Sequence, residues 1–97
     1  MNYRFLVPAR SEFEEAVEFY NQRQEALGIQ FAQEVNVVIE RILADPTSYE
    51  KYSENVYSLR TKRFPYAVFY SLEDETVVIL AVMHLRRKQG YWKDRIE

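Results

Sequence analysis

Two apolar segments, residues 64–70 and 77–83, constrain the fold of this chain more than any other feature. The first, FPYAVFY, is rich in aromatic and β-branched residues, which favours a strand packed on at least one side. The second, VVILAVM, is apolar at every position, which indicates a central strand buried on both faces. The charged stretch between them predicts a turn within residues 72–76. The two segments therefore predict a β-hairpin.

The N-terminal half predicts one strand and two helices. Residues 3–7 (YRFLV) alternate and end at Pro8, which is typical of a strand at a sheet edge. Ser11 and the glutamate three residues later have the spacing of a capping box, so the first helix is expected to start near Ser11. Apolar residues then recur with helical spacing in two runs divided at Gly28, and Pro46 bounds the second run. This pattern predicts a helical hairpin with one apolar face.

The C-terminal half supplies the rest of the sheet. Residues 45–55 are polar and aromatic and are predicted to form a loop, and residues 56–62 (VYSLRTK) alternate like a strand. Residues 90–97 are expected to form a short tail or a helical turn. The predicted order is β-α-α-β-β-β, an α+β fold with the helical hairpin packed on one face of a small, mainly antiparallel sheet. At 97 residues, the chain (1–97) is expected to be a single domain.

The composition excludes several kinds of chemistry. The chain has no cysteine, which excludes disulfides and thiolate chemistry, and its single histidine excludes a histidine-pair site. With only two glycines, a glycine-rich phosphate loop is not expected, and no residue spacing resembles a metal motif. We therefore expect neither a cofactor nor a metal. No apolar run of about 18 residues is present, and no N-terminal signal, so a cytoplasmic protein is expected.

Basic residues cluster in the second half of a chain whose net charge is −2. The two clusters are Arg60, Lys62 and Arg63, then Arg86 and Arg87. Because a strand alternates its faces, Arg60 and Lys62 share one side, and so do His84 and Arg86. If the side of Arg60 is the one left uncovered by the helices, and the strand register brings the second pair onto it, these residues form a shallow basic groove. Such a groove could bind phosphates through charge-assisted hydrogen bonds.

Each of these residues also has a plain structural interpretation. Basic residues at strand ends are commonly solvated or paired with surface carboxylates. His84 alone is more often a packed or hydrogen-bonded residue than a catalyst. Tyr91 and Trp92 could simply attach the tail to the body of the protein, rather than stack on bases. The glutamates Glu12, Glu14 and Glu15 are expected to form a solvated face at the start of the first helix.

Taken together, the sequence resembles the RelE/ParE superfamily of toxins from type II toxin–antitoxin systems, also called plasmid stabilisation proteins. The resemblance rests on LGIQFAQEV at 27–35 with ILADP at 42–46, on the strand that carries Arg60, on FPYAVFY, and on the closing strand VVILAVMHLRRKQGYWKDR at 77–95. The last of these contains an H-x-x-R element from His84 to Arg87, followed by a tyrosine, a tryptophan and an arginine. The four pieces follow the family's order and cover nearly the whole chain.

The resemblance implies one of two activities. RelE-like members are metal-independent endoribonucleases that cleave mRNA on the ribosome with Lys, Arg and Tyr or His side chains. The residues that match their catalytic positions are Arg60, Arg86 or Arg87, and Tyr91. In either branch, the residues expected to bind the target or its phosphates are Lys62, Arg63, His84 and Trp92. Two residues depart from this pattern, because Ser58 stands where a further lysine is usual and Ala67 where an arginine follows the strand's first tyrosine.

ParE-like members instead poison DNA gyrase and need no such set of residues. The departures at Ser58 and Ala67 and the element from His84 to Arg87 favour this branch, so the prediction is a growth-inhibiting, gyrase-directed toxin. The alternatives are the ribonuclease and an inactive homologue that only binds the antitoxin. Either branch implies an antitoxin from an adjacent gene, whose C-terminal segment wraps the helices or fills the groove and folds as it binds. A homodimer or a toxin–antitoxin hetero-oligomer is also possible.

Overall fold

The structure is a computed structural model that describes residues 1–88 and 90–95. In chain order, its elements are β1 (Asn2–Phe5), α1 (Val7–Arg23), α2 (Leu27–Ala44), β2 (Glu50–Ser53), β3 (Val56–Arg60), β4 (Tyr66–Glu73), β5 (Thr76–His84) and a 3₁₀ turn (Lys93–Arg95). The strands form one sheet in the order β1-β5-β4-β3-β2, in which β1 pairs with β5 in parallel and the other neighbours are antiparallel. The predicted α+β fold, with a helical hairpin on a mainly antiparallel sheet, is confirmed. The last two residues of the predicted tail lie outside the described residues.

The prediction of a loop over residues 45–55 is wrong for its second half, because β2 pairs there with β3 along the sheet edge. The order within the described residues is therefore β-α-α-β-β-β-β. The strand, EKYS, is short and mostly exposed. It lacks the apolar alternation that would reveal it in the sequence, since its backbone hydrogen bonds to β3 stabilise it more than any buried face.

The first helix begins earlier than the predicted capping box. α1 starts at Val7 with Leu6 as its N-cap residue, and Leu6 provides no side-chain cap. Pro8 lies in the first turn, where a missing backbone N–H costs nothing and the restricted φ angle suits a helix. Ser11 therefore lies inside the helix, and the expectation that it starts the helix is wrong.

The two helices approach closely at Gly28. The chain reverses over residues 24–26, where Ala26 has a positive φ of 66°, and Gly28 lies in the first turn of α2 rather than at the break. The Gly28 amide donates a hydrogen bond to Oδ1 of Asn21 at 2.7 Å. A Cβ atom at this position would lie 2.2 Å from the carbonyl oxygen of Val17. Glycine is therefore required by close packing of α2 on α1.

Both faces of the sheet are covered. The apolar face of α2, including Phe31 and Val35, packs with the helix-side residues of β4 and β5, such as Val68 and Ile79. On the opposite face, which we call the second face, a separate cluster is closed by Trp92 from the tail. Residues 77–83 are buried, which agrees with the prediction of a strand buried on both sides. Within the described residues, no helix is long and apolar enough to cross a membrane.

A β-bulge in β5 changes which of its residues face the helices. Tyr70 pairs with Ile79 and Phe69 pairs with Ala81, so Leu80 is an extra residue in the ladder. Leu80 and Ala81 consequently both belong to the second face. Beyond the bulge the alternation is reversed, and Val82 lies on the helix side.

Candidate functional site

The strand register separates the residues that were considered for one basic groove. Arg60 pairs with Ala67, which belongs to the cluster on the second face. His84 pairs with Tyr66, which packs with the helix-side core, and the two rings meet edge-on with centroids 5.1 Å apart. Because directly opposed residues of an antiparallel pair share a face, Arg60 and His84 lie on opposite faces. The groove that would join the two basic clusters on one face is therefore not formed, and the expectation of it is wrong.

Arg60 is the last residue of β3, and although its place in the ladder is on the second face, it also lines a cavity beside α2. This cavity of about 320 Å³, which we call the α2 groove, is lined by Gln30, Gln33, Glu34, Val37, Val38 and Arg41 of α2 and by Arg60, Lys62 and Arg63. Val37 is 52% exposed, so it offers an apolar surface to a partner. The last partner of β3 in β2 is opposite Ser58, so the end of β3 has no neighbouring strand on this side among the described residues. The α2 groove therefore combines an apolar floor, basic residues and an open strand edge.

One of the basic residues of the α2 groove is already paired. Oε1 of Glu34 accepts a hydrogen bond from the Arg63 backbone N–H at 2.6 Å, and Oε2 accepts one from Arg63 Nε at 3.2 Å. Burial opposes the charge on Glu34, but these hydrogen bonds, together with those from the backbone of Lys62 and Phe64, outweigh it and hold the pKa of its carboxyl below the usual value. Arg60 and Lys62 are exposed and have no ion pair within the part of the chain that the structure describes. The same holds for Arg41, and these three residues supply the unbalanced positive charge of the groove.

Arg87 and Tyr91 meet at a second location, around the carboxylate of Glu12. The phenol of Tyr91 donates a hydrogen bond to Oε2 of Glu12 at 2.6 Å, and Arg87 Nη1 lies 3.4 Å from the same oxygen. Arg95 donates to both carboxylate oxygens, at 3.0 Å each. The Arg87 guanidinium also stacks on the Tyr91 ring, 3.7 Å from its centroid. We call Glu12, Arg87, Tyr91 and Arg95 the Glu12 cluster.

The Glu12 cluster has consequences for proton transfer. Burial, the hydrogen bond to Glu12 and the negative charge of Glu12 all raise the pKa of Tyr91 well above its ordinary value, and the charges of Arg87 and Arg95 oppose the rise only in part.

The side chain of Glu12 is only 13% exposed, so the expectation that it belongs to a solvated helix face is wrong. Glu12 and Arg95 were both missed as site residues. They are 83 residues apart in the chain, and no local pattern connects them.

The remaining predicted site residues have structural contacts. Trp92 is fully buried and packs on Phe69 and Tyr52, with centroids 5.0 and 5.1 Å away. It therefore attaches the tail to the second face, as one of the two interpretations has it. The exposed Arg86 donates its backbone N–H to Nδ1 of His84 at 3.0 Å.

His84 and Arg87 also line a second cavity, of about 300 Å³. The other residues that line it include Glu12, Glu15, Phe19 and Tyr66. Among residues 1–88 and 90–95, no group of three His, Cys, Asp or Glu side chains could hold a metal ion. Of the polar side chains at this cavity, Arg87 contacts Oε2 of Glu12, and the His84 ring packs edge-on against the ring of Tyr66.

Comparison with known proteins agrees with the fold. The family model described as "ParE toxin of type II toxin-antitoxin system, parDE" matches residues 3–89. No curated protein sequence matches the chain. A solved structure from the chromosomal ParDE system of P. aeruginosa is similar with a TM-score of 0.76 and 13% identity, covering 89% of this chain and 97% of that one.

Two structures of the E. coli toxin RelE are also similar. A mutant in complex with a peptide of the antitoxin RelBc has a TM-score of 0.65 and 14% identity, covering 99% of this chain and 94% of that one. The isolated toxin has a TM-score of 0.52 and 14% identity, covering 97% and 94%. At these identities the three structures establish only the shared fold. The family model relates the sequence itself to the ParE toxins.

Proposed function

Because the chain belongs to the ParE toxin family of type II toxin–antitoxin systems, we propose that it inhibits growth by poisoning DNA gyrase and not by cleaving mRNA. The observation that carries the proposal is the separation of the basic residues. Arg60 lines the α2 groove, whereas Arg87 and Tyr91 contact Glu12 of α1, which accepts a hydrogen bond from the Val82 backbone of β5. A ribonuclease needs these groups around one phosphate.

The chemistry of RNA cleavage makes the separation matter. The reaction requires a base for the 2′-OH, positive charge at the phosphorane and an acid for the leaving oxygen. In this chain the phenol proton of Tyr91 is donated to Glu12, and Arg87 and Arg95 share the same carboxylate. A phosphate that approached these groups would meet the negative charge of Glu12 as well. Each positioned charge is typically worth about 3 kcal/mol of transition-state stabilisation, so such a site would catalyse poorly.

The two departures from the ribonuclease pattern support the same conclusion. Ala67 is only 2% exposed and belongs to the second-face cluster, so its position is apolar and closed. Ser58 pairs with Phe69 on β4 and with Glu50 on β2, and it adds no charge. Neither position provides the cation that a RelE-like site has there.

Gyrase poisoning is tested with purified components. Gyrase, supercoiled plasmid and increasing amounts of the protein are incubated with ATP, and cleaved DNA is measured after denaturation of gyrase. The proposal expects linear DNA that increases with protein and saturates. In a parallel reaction, mRNA ends are mapped on stalled ribosomes, with an Arg60→Ala, Tyr91→Phe double variant as the control.

The outcomes of this pair of assays are distinct. No trapped DNA at saturating protein, together with mRNA cleavage that the double variant loses, would replace the proposal with the ribonuclease. No effect in either assay, with no growth arrest on induced expression, would leave an inactive homologue that only binds the antitoxin. The proposed target places the protein's action in the cytoplasm.

We further propose that the α2 groove binds the antitoxin. The groove offers the half-exposed Val37 between Arg41, Arg60 and Lys62, with Glu34 neutralised by Arg63. A segment with an apolar anchor and acidic neighbours is complementary to this surface. The antitoxin is expected to be encoded in an adjacent gene.

Two variants of the groove test antitoxin binding. Val37→Asp and Lys62→Glu are each expected to weaken the affinity for the purified antitoxin at least tenfold, measured by calorimetry. Ile29→Ser is the matched control, because Ile29 is also an exposed apolar residue of α2 but does not line the groove. Equal losses in all three variants, or no loss in any of them, would contradict binding in the α2 groove.

A further inference from the structure

The carboxylate of Glu12 accepts an unusual number of hydrogen bonds from distant parts of the chain. Oε1 accepts from the Val82 backbone N–H at 3.1 Å and from Arg95 Nη1 at 3.0 Å. Oε2 accepts from the Tyr91 phenol, from Arg95 Nη2 and, at longer range, from Arg87. The donors come from β5, from the turn that follows it and from the tail. A carboxylate has about four lone-pair sites, so these donors occupy the full acceptor capacity of Glu12.

Arg95 is the donor with the most constrained geometry. Its two terminal nitrogens contact the two oxygens of Glu12, which is the bidentate arrangement of a guanidinium and a carboxylate. Nη1 also donates to the carbonyl oxygen of Leu80, at 3.0 Å. Arg95 is therefore positioned by β5 as well as by Glu12, and its side chain is only 19% exposed.

These contacts are the polar attachment of the tail to the body of the protein. The apolar attachment is Trp92, which is fully buried in the second-face cluster. The indole Nε1 of Trp92 is buried and has no hydrogen-bond partner among residues 1–88 and 90–95, so it adds nothing to the polar attachment described there. Among the described contacts, residues 91–95 are therefore attached by the packing of one indole ring, by the Leu80 carbonyl oxygen and by the carboxylate of Glu12, which accepts from both Tyr91 and Arg95.

We infer that Val82, Arg87, Tyr91 and Arg95 form a receptor for a single carboxylate, and that Glu12 is the internal ligand that occupies it and keeps the tail on the second face. The receptor would accept a carboxylate from another molecule wherever Glu12 is absent or displaced. The second cavity, which Glu12 and Arg87 line, provides a route to the donors. This inference does not depend on the target of the toxin.

The inference is tested by removing the internal ligand and supplying a free one. Glu12→Ala deletes the four atoms Cγ, Cδ, Oε1 and Oε2, and acetate has the same four heavy atoms. Trp92 is the only tryptophan of the chain, so its fluorescence reports the position of the tail alone. We expect Glu12→Ala to shift the emission of Trp92 to longer wavelength. Added acetate should reverse the shift along a single-site saturation curve, measured against chloride at the same ionic strength.

Three controls separate a receptor from a general effect of salt. Acetate should leave the emission of the unmodified chain unchanged, because Glu12 already occupies the site. Glu15→Ala removes another carboxylate that lines the second cavity and should behave like the unmodified chain. In a Glu12→Ala, Arg95→Ala double variant, acetate should not reverse the shift, because the bidentate donor is missing.

The result remains decisive if Glu12→Ala unfolds. A ligand that binds only the folded state stabilises it by mass action, so acetate should then restore the circular dichroism of the folded chain in Glu12→Ala but not in the double variant. Unchanged Trp92 emission in Glu12→Ala would overturn the inference. An equal response to acetate and chloride, or an equal response of the double variant to acetate, would also overturn it.

Discussion

Arg60 and Ala67 lie directly opposite each other in the β3–β4 ladder, on the face of the sheet away from the helices. Their surroundings nevertheless differ. Arg60 is exposed at the end of its strand, whereas Ala67 is 2% exposed and has Met83 as its partner on the other side. The residue beside the exposed cation is therefore part of a closed apolar cluster, and the second face offers no room there for another charge.

This relationship predicts that the stability of the protein is sensitive to substitution of Ala67 and insensitive to substitution of Arg60. Ala67→Arg should lower the free energy of unfolding by about 3 kcal/mol, because it overpacks the second-face cluster and buries a charge. Arg60→Ala should change it by less than about 0.5 kcal/mol, because its side chain is exposed and unpaired within the described residues. Urea denaturation measures both. Similar losses in the two variants would show that the second face is not packed as described.

The helix junction predicts that substitutions at Gly28 and Ala26 change the free energy of unfolding in opposite directions. Gly28→Ala places a Cβ 2.2 Å from the carbonyl oxygen of Val17, so the helices must separate, at a cost of about 2 kcal/mol. Ala26→Gly should instead raise the free energy of unfolding by about 0.5 kcal/mol, since Ala26 has a φ of 66° that glycine adopts without strain. Thermal unfolding of both variants checks the pair. A Gly28→Ala variant as stable as the parent would contradict the close approach.

The buried tyrosines predict a loss of stability in alkali. Burial, together with nearby Tyr57, Tyr49 and Asp45, raises the pKa of Tyr70 well above its ordinary value of 10.0. The unfolded chain therefore loses this phenol proton at a lower pH than the folded chain does. The contribution of Tyr70 is complete below about pH 10 and is lost as the pH rises toward the folded-state value.

The variant that tests this linkage is Tyr70→Phe. At neutral pH it should cost about 1 kcal/mol, because the Tyr70 phenol donates to the Pro46 carbonyl oxygen at 2.6 Å. Between about pH 9 and about pH 11, however, its stability should fall less steeply than that of the parent in urea denaturation. Tyr3→Phe is the control, because Tyr3 is 45% exposed. Parallel pH profiles for the parent and Tyr70→Phe would contradict the prediction.

The α2 groove predicts a loss of stability in acid. The pKa of Glu34 lies below its usual value because the hydrogen bonds from Arg63 and from the backbone of Lys62 and Phe64 outweigh burial. Stability from this carboxylate is therefore present above the unfolded-state value of about 4.5 and is lost as the pH falls through the folded-state value. Glu34→Gln should cost about 1 kcal/mol at neutral pH and should flatten the acid limb of the stability profile. Glu40→Gln, an exposed change on the same helix, should do neither.

Local patterns in the sequence were sufficient to predict the main elements. The apolar periodicity of α2, the alternation of β3 and the continuous apolar run of β5 each report burial of the residues that carry them, so the α+β fold followed from them. The family resemblance followed from the same segments. The polar edge strand β2 left no such pattern, because its partners are backbone groups of β3.

The candidate site was decided by tertiary structure. The bulge at Leu80 places His84 on the helix side although simple alternation along β5 from Val77 would place it on the second face. A bulge is set by the pairing of two strands, and neither strand encodes it alone. Glu12 meets Arg95 only because the tail folds back over β5 toward α1. The sequence by itself therefore determined which segments form the layers, while long-range pairing determined which charged groups meet.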